Sequence, residues 1–271
     1  MPHLLRQVSF QEVNSPLLAY QRNVTSQFGE DGILQRVLSQ IPMSAHYAVE
    51  FGAWDGRLYS NTWDLLHHHE WSGCLIEGNP ERFGVLQTAY AHRPDVVTLN
   101  RLVSPTGPDG LDAILDEANA PKFFGLLSID IDGLDYFVWE GLTRYRPTVV
   151  VIEFNPTVPN DVLFVQNPDP GVRQGCSLLA LVELGRRLGY ELCCAPWCNG
   201  IFVDRSVYPL LGLRDNHINT LYRPAMDGRI FHGFDSYVHV IGMDRFCWRA
   251  HEPLRSSDFQ VVPVAEQGFD T

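Results

Sequence analysis

The chain has 271 residues, 45% of them hydrophobic, which is enough apolar material to bury a large core in a single domain. Its 20 basic and 32 acidic side chains give a formal net charge of -12 at pH 7. Because nucleic acids and anionic membrane surfaces repel such a charge, we expect neither as a partner. A small-molecule substrate, a cationic ligand and assembly into a homo-oligomer remain open.

Targeting and redox features point to an intracellular protein. No apolar run is long enough to span a bilayer, and residues 1–6 lack the charged-then-apolar plan of a signal peptide. The spacing of the six cysteines does not match a zinc site, so we interpret them as reduced thiols. They are Cys74, Cys176, Cys193, Cys194, Cys198 and Cys247. We therefore expect a cytoplasmic location.

Hydrophobic periodicity predicts alternating helices and strands along most of the chain. Apolar residues at helical spacing predict a helix over 31–41, which Pro42 ends. Strands are expected near 46–51, 73–77, 95–100, 124–130 and 148–154, with helices near 57–69, 80–91, 110–119 and 134–144. Such alternation is typical of a doubly wound α/β fold with a parallel sheet.

The second half of the chain continues this pattern after an interruption. Residues 156–175, rich in Pro, Asn and Asp, predict a long loop of the kind that often closes over a site. A helix is expected over 177–188, followed by two strands at 190–194 and 200–203. Beyond residue 211 the pattern weakens. We expect one domain, 1–271, with a core over about 26–204 and a C-terminal extension over about 205–271.

The ends of the first two predicted strands carry the most informative side chains. Gly52 and Gly56 follow Glu50 at the end of the first strand, and Glu77 ends the second. Ligands of open α/β sheets bind at the carboxyl ends of the strands, and Glu77 there could accept two hydroxyl hydrogens from a ribose. Asp55 would repel a diphosphate. The pattern favours a nucleoside with a positive centre, although each glycine taken singly would be better explained by a tight turn.

Four motifs together resemble a known family. They are residues 49–56 (Val-Glu-Phe-Gly-Ala-Trp-Asp-Gly), 75–80 (Leu-Ile-Glu-Gly-Asn-Pro), 126–135 (Leu-Leu-Ser-Ile-Asp-Ile-Asp-Gly-Leu-Asp) and 149–153 (Val-Val-Val-Ile-Glu). In order and spacing the chain is similar to the class I S-adenosylmethionine-dependent methyltransferases, FkbM type, over about 26–204. It departs from that family at Ser128 and Asp132, where a lysine and a glutamate are usual.

The resemblance implies a Rossmann-like sheet of seven strands with the last one antiparallel, preceded by an N-terminal helix. It also implies S-adenosylmethionine as cofactor, with Gly52 and Ala53 near the methionine, Glu77 on the ribose diol and the 102–104 turn beside the adenine. Ser60 and Asn61 would bond the methionine carboxylate. The full set of expected cofactor contacts is Gln27, Asp31, Glu50, Gly52, Ala53, Gly56, Ser60, Asn61, Glu77, Ser104 and Asp130.

Residues 26–31 allow two interpretations. Ser26 and Glu30 are explained by a helix cap with acids in the first helical turn. The same segment could contact the cofactor through Gln27 and Asp31. We favour the cap and keep Gln27 and Asp31 as secondary contacts.

Two neighbouring strand ends predict a metal site. Asp130 and Asp132 follow the fourth strand, and Glu153 and Asn155 end the fifth. Within each pair the residues are two apart, which on an extended strand places them on one face. Such oxygen ligands suit Mg²⁺, and metal-dependent O-methyltransferases hold an ion at similar positions. Alternatively, Asp130 contacts substrate or cofactor directly and Asp132 caps the following helix.

Without a metal, a side chain would have to accept the substrate's proton. The candidates are His217, His232 and His239, of which His217 has the most polar surroundings. We select Asp130 and His217 as catalytic candidates, although in-line positioning alone can supply much of the rate of methyl transfer.

Three functions are therefore considered. The first is an O-methyltransferase acting on a small molecule, a reaction that a divalent metal could assist. The second is another reaction of the same cofactor, such as N-methylation or cyclisation. The third is a non-catalytic binding protein that retains the fold.

Overall fold

The computed structural model describes residues 15–222, 229–232 and 238–241. The chain divides into two compact units, Met1–Arg223 and Pro224–Thr271. The first unit contains all of the predicted motifs. In the part of the chain that is described, no helix is long and apolar enough to cross a membrane.

The first unit contains a sheet with helices between its strands. The strands are β1 (Tyr47–Phe51), β2 (Ser72–Ile76), β3 (Val96–Leu99), β4 (Phe123–Ile129), β5 (Arg146–Glu153), β6 (Tyr190–Cys194) and β7 (Asn199–Asp204). The helices are α1 (Glu30–Leu38), α2 (Trp63–His68), α3 (Pro80–Tyr90), α4 (Leu111–Glu117), α5 (Asp135–Gly141), α6 (Leu178–Leu188) and α7 (Ile218–Leu221). Short 3₁₀ helices lie at Pro16–Tyr20 and Tyr208–Leu211.

The strand order confirms the predicted fold class. The sheet runs β3-β2-β1-β4-β5-β7-β6, and only β7 is antiparallel to its neighbours. The protein therefore has an α/β sheet of seven strands, and the last of these seven along the chain, β7, is the antiparallel one. The order reverses between β1 and β4, and such a reversal opens a crevice at the carboxyl ends of the strands.

The alternation of side chains along each strand builds a core on both faces of the sheet. In β1, Val49 and Phe51 face one layer with Trp139 of α5, whereas Ala48 faces the other layer with Ile33 and Leu34 of α1. All six side chains are fully buried. Strands buried on both faces read as continuous apolar runs, which is why they were visible in the sequence.

Several helices begin and end at residues suited to that role. Asn79 caps α3 by accepting hydrogen bonds from the amides of Glu81 and Arg82, and Pro80 occupies the first helical position. Ser177 caps α6, which ends at Gly189 in the left-handed conformation. The helix predicted over 57–69 is shorter in the structure and extends only from Trp63 to His68.

The described part of the second unit is an antiparallel hairpin of β8 (Arg229–His232) and β9 (Val238–Ile241). His232 and His239, two of the candidate bases, lie in these strands, but their side chains fall outside what the structure describes. Their predicted role stays a prediction.

Candidate functional site

Glu50 organises the loop that follows β1. Its Oε2 accepts hydrogen bonds from the hydroxyls of Ser60 (2.6 Å) and Thr62 (2.7 Å), and its Oε1 accepts one from the amide of Asn61 (2.8 Å). Burial raises the pKa of Glu50, while these three donors oppose the rise. The carboxylate therefore holds the 60–62 segment against the end of β1, and this geometry explains why helix α2 starts late.

Ser60 and Asn61 belong to the same hydrogen-bond network. Besides donating to Glu50, Ser60 Oγ accepts hydrogen bonds from the amides of Thr62 and Trp63. Asn61 Nδ2 donates to Ser128 Oγ on β4 (3.1 Å), and its buried Oδ1 has no hydrogen-bond partner. Both residues are buried, and their side-chain donors already serve the protein.

The two glycines after β1 are needed for packing against other parts of the fold. Gly52 has φ +74°, and a Cβ there would lie 1.9 Å from the carbonyl oxygen of Asp130. Gly56 has φ +76°, and a Cβ would lie 2.6 Å from Leu86 and 2.5 Å from Tyr90. Tyr90 also donates its hydroxyl to the Gly56 carbonyl. The loop thus passes close to β4 on one side and to α3 on the other.

Glu77 is fixed by two backbone amides at the end of β2. Its Oε2 accepts from Trp54 (2.8 Å) and its Oε1 from Asn79 (2.7 Å), and the Ala53 amide pairs with the Ile76 carbonyl. A carboxylate has about four acceptor positions, so two remain for other donors. Next to it, the guanidinium of Arg82 stacks on Trp54, 3.3 Å from the ring centre.

The turn after β3, where adenine contact is expected, lies beside Glu77. Leu102 is 78% exposed, and its Cδ1 would lie 3.0 Å from a Cβ at Gly78. Ser104 gives its hydroxyl to the carbonyl of Thr106 within the turn. An exposed leucine next to the Glu77–Gly78 corner is an apolar surface open to a ligand.

Three of the four predicted metal ligands come together. The carboxylate oxygens of Asp130, Asp132 and Glu153 all lie within 4.8 Å of one another. Asp130 and Asp132 are exposed to solvent at the residue level, and Glu153 is half-buried. The limited hydration of the Asp130 carboxyl and the nearby charges of Asp135 and Asp132 raise its pKa. The pKa of Glu153 is raised in the same way by burial and by Asp130.

Asp135 shapes the turn between β4 and α5. Its buried carboxylate accepts hydrogen bonds from the amides of Ile131 (2.9 Å) and Gly133 (2.8 Å), and burial raises its pKa. The alternative in which Asp132 caps the following helix is wrong. Leu134 is the N-cap residue of α5, and no side chain caps this helix. Asp135, in the first turn of α5, instead accepts hydrogen bonds from the preceding turn.

Asn155 does not present a free amide to this group. Its Nδ2 donates to the carbonyl of Gln174 (2.9 Å), and its Oδ1 accepts from the amide and hydroxyl of Thr157. Asn155 thereby ties the two ends of the loop between β5 and α6. Its predicted role as a metal ligand has no support from these contacts.

Residues 26–31, which include the first residues of α1, contribute further carboxylates. Asp31 Oδ2 accepts from the amides of Val24, Thr25 and Ser26, while its buried Oδ1 has no hydrogen-bond partner. Ser26 Oγ in turn accepts from the Asp31 amide, so the predicted capping interaction exists, although Gly29 is the N-cap residue.

Glu30 and Gln27, from the same segment, behave differently. Glu30 is fully buried and accepts from the amide of Phe28 and from Asn199 Nδ2 on β7, and burial raises its pKa. Gln27 is exposed, and its carbonyl accepts from Asn23. Glu30 thus joins the carboxyl edge of the sheet, whereas Gln27 stays at the surface.

His217 makes its hydrogen bonds at the start of helix α7. It is exposed and caps α7, with Nδ1 accepting from the amide of Asn219 (3.2 Å). The neighbouring Asn216 donates to Glu191 near the beginning of β6, toward the amino ends of the parallel strands. The predicted catalytic role of His217 stays a prediction.

Seven carboxyl groups gather at this edge of the sheet without a compensating cation. They are Glu30, Asp31, Glu50, Asp130, Asp132, Asp135 and Glu153. Among the described residues, no ion pair involves any of them. Carboxyl groups whose pKa values are raised by burial and by one another are characteristic of functional sites when they gather at a crevice.

Sequence reasoning missed three residues that shape this edge. The sequence pattern marks Asp135 only as the end of a motif and Glu30 only as an acid at a helix start, and it gives no signal for Gln166, whose side chain bonds the loop between β5 and α6. The spacing of Asp135 two residues after Gly133 is compatible with bonding back to the turn, but it is not diagnostic. The Glu30–Asn199 contact joins residues 169 positions apart, so no local pattern could reveal it.

Comparisons with known proteins return structural neighbours only. No model of a known protein family matches the chain, and no curated protein matches it. An O-methyltransferase from Bacillus cereus in complex with SAH is 16% identical, with a TM-score of 0.43, covering 68% of this chain and 83% of that chain. The N-terminal domain of EvdMO1 with SAH bound is 15% identical, with a TM-score of 0.43, covering 66% and 82%.

A third neighbour is the CMeT domain of the citrinin polyketide synthase. It is 12% identical, with a TM-score of 0.43, and 65% of this chain is covered. This chain spans 51% of that structure's length. Likeness at this level says nothing about the ligand or the substrate of this chain.

Proposed function

We propose that the protein is an S-adenosylmethionine-dependent methyltransferase that acts on a small molecule, at a hydroxyl oxygen and with the assistance of a divalent cation. The observation that carries the proposal is the uncompensated group of carboxylates at the point where the strand order reverses. That position is where open α/β sheets bind ligands, and the charge favours ligands with a positive centre.

The geometry around Glu77 fits the nucleoside part of this cofactor. Two amides fix the Glu77 carboxylate, and its remaining acceptor positions suit the two hydroxyls of a ribose. The exposed Leu102 beside Gly78 offers an apolar contact for a purine. The cofactor would supply a methyl group on a positively charged sulfur, and the acidic edge would attract that charge.

We do not assign Ser60 and Asn61 to the methionine carboxylate of the cofactor, although the sequence predicts that contact. Ser60 and Asn61 give their side-chain donors to Glu50 and Ser128, so we assign them to holding the 60–62 segment rather than to binding a carboxylate. The exposed backbone of Gly52, at the end of β1, is the better candidate contact. The unpartnered oxygens of Asp31 and Asn61 add acceptors, not donors, to this region.

The cluster of Asp130, Asp132 and Glu153 fits a divalent cation. Three carboxylates within 4.8 Å offer the hard oxygen ligands that Mg²⁺ prefers. When bound, such an ion would lower the pKa of a substrate hydroxyl and orient its oxygen. Without the ion, the raised pKa of Asp130 would make it a better proton acceptor near neutral pH, so Asp130 is central to either version.

Calorimetric titration with S-adenosylhomocysteine tests the cofactor site. We expect the wild-type chain to bind, and Glu77→Ala to weaken binding by about 1 to 3 kcal/mol, the cost of leaving ligand hydroxyls without a charged partner. Glu81→Ala is the matched control, since Glu81 is an exposed glutamate four positions away. Its binding should equal that of the wild type.

The same titrations with and without Mg²⁺ test the metal. Tighter binding of substrate or cofactor product with Mg²⁺, lost in Asp132→Asn, would support the ion. A wild-type chain that binds no S-adenosylhomocysteine under either condition would overturn the methyltransferase proposal and favour a non-catalytic binding protein.

A further inference from the structure

Gln166 is a buried amide in the long loop between β5 and α6. It is 3% exposed. Its Nε2 donates to the carbonyl of Val172 (2.7 Å), and its Oε1 accepts from the amides of Gln174 (2.8 Å) and Gly175 (2.7 Å). The Gln166 side chain thus ties residues 166, 172, 174 and 175 together. We call this closed loop segment, residues 166–175, the Gln166 ring.

This ring lies directly against the turn that carries the acids. A Cβ at Gly133 would lie 3.0 Å from the Val172 carbonyl and 3.1 Å from Gln166 Oε1. The amide of Gly133 also donates to the Asp135 carboxylate, as does that of Ile131. The backbone of residues 131–133 is therefore in contact with both the buried Asp135 carboxylate and the Gln166 ring.

These contacts matter because Asp132 lies within residues 131–133. Asp132 has φ +57°, an uncommon conformation for a residue with a side chain. Its carboxylate meets those of Asp130 and Glu153 only while the turn keeps this shape. Groups that orient ligands from behind typically change metal affinity by about 10- to 100-fold when they are removed.

We propose that Gln166 is a positioning residue that holds the 130–133 turn in the shape that binds a divalent cation. It does so through the Val172 carbonyl and its own amide, without contacting the cation. This inference rests on the proposed function for the identity of the ligand, and on the geometry alone for the coupling between loop and turn.

Three variants test it. Gln166→Met keeps the volume of the side chain but removes its three hydrogen bonds, and Gln166→Ala also removes the volume. Gln174→Ala is the matched control, because Gln174 is an exposed glutamine of the same loop. Using Met beside Ala keeps the test valid if the alanine variant folds poorly.

The measurements are Mn²⁺ affinity by calorimetry, S-adenosylhomocysteine affinity, and hydrogen exchange of the amides of Ile131 and Gly133. We expect Gln166→Met to bind Mn²⁺ about tenfold more weakly and to exchange these amides faster. Its affinity for S-adenosylhomocysteine should stay within about twofold of the wild type, a split that a general loss of structure would not produce. Gln174→Ala should match the wild type throughout.

The outcomes separate this inference from the proposed function. Wild-type Mn²⁺ affinity and unchanged exchange in Gln166→Met would overturn the inference while leaving the methyltransferase proposal intact. If the wild type binds no Mn²⁺, the metal part of the proposed function fails. The exchange rates then decide whether Gln166 holds the turn: faster exchange supports it, and unchanged exchange overturns it.

Discussion

Acidic side chains form ion pairs near the amino ends of the parallel strands, whereas a group of acids near their carboxyl ends forms none. Near the amino ends of the parallel strands, several acids form ion pairs with cations. The pairs are Asp116 with Lys122 and Arg144, Asp112 with Arg144, Glu140 with Arg187, and Asp204 with Arg146. At the carboxyl ends, seven acids gather with no ion pair in the described part of the chain. In a chain of net charge -12, basic residues are scarce, and the cations of these pairs form no ion pair with the seven acids of the carboxyl ends.

The pKa directions follow this division. Burial alone would raise the pKa of Asp204, but hydrogen bonds from Ser206 and Arg146 outweigh it and lower the pKa. Hydrogen bonds from Lys122 also lower the pKa of Asp116. Burial instead raises the pKa of Glu50 and of Glu153. The amino end is therefore arranged for stability, whereas the carboxyl end keeps charges that cost stability and suit a cationic ligand.

The largest expected loss of stability comes from adding a side chain at Gly52, where the loop after β1 meets the end of β4. Gly52→Ala places a Cβ 1.9 Å from the Asp130 carbonyl at φ +74°, so the two loops must separate. We expect a loss of at least about 3 kcal/mol in the free energy of unfolding, measured by urea denaturation. Gly84→Ala is the control: no atom lies within 4 Å of its Cβ, and a helix favours alanine by about 0.5 to 1 kcal/mol. A fully stable Gly52→Ala variant would contradict the close packing of the two loops.

The next effect tests the amino end. Arg146 binds Asp204 and also donates to the carbonyls of Leu188 and Gly189. Because its side chain is 39% exposed, we expect Arg146→Ala to lose only about 2 kcal/mol of unfolding free energy. Arg101→Ala, which breaks an exposed pair with Glu117, should lose less than about 1 kcal/mol. Equal losses in the two variants would mean that Arg146 does not hold the end of the sheet together.

A smaller effect of opposite sign is expected at the carboxyl end. Glu153→Gln removes one of several crowded charges, so we expect the free energy of unfolding at pH 8 to rise by about 1 kcal/mol. The same substitution should abolish divalent cation binding. Thermal denaturation and Mn²⁺ titration measure the two effects. A destabilised variant would show that Glu153 is held by favourable contacts and would weaken the contrast between the two ends.

The smallest effect is the dependence of stability on pH. A raised carboxyl pKa means that the folded chain binds its proton more tightly than the unfolded chain. The contribution of Glu50 and Glu153 is therefore fully present below the ordinary pKa of about 4 and is lost as pH rises through their folded values. Asp204 acts oppositely, since its contribution is present above about pH 4 and is lost as pH falls through its lowered pKa.

Urea denaturation between about pH 5 and pH 8 checks these signs, because the raised groups of the carboxyl end titrate above their ordinary range. We expect wild-type stability to decline across this window and Glu153→Gln to decline less. A wild-type curve that rises with pH would show that the paired acids of the amino end dominate instead.

Much of the candidate site could be anticipated from local pattern. Buried strands read as apolar runs, and Glu50, Glu77, Asp130 and Glu153 each lie at or next to the end of such a run. Parallel strands bring their carboxyl ends to one edge, so these acids were expected to be neighbours. The hydrogen bonds that occupy Asn155 and the capping of α7 by His217 could not be anticipated, because the sequence does not show where side chains find hydrogen-bond partners.

The sequence by itself determined the order of strands and helices, the acids at the strand ends and the excess of negative charge, because these depend on periodicity and composition. The tertiary structure alone decided that Glu30 meets Asn199, that Gln166 rests against Gly133, and that Arg146 pairs with Asp204. Such contacts join residues far apart in the chain, and their partners are selected by packing and by the need to satisfy buried polar groups, neither of which leaves a local pattern.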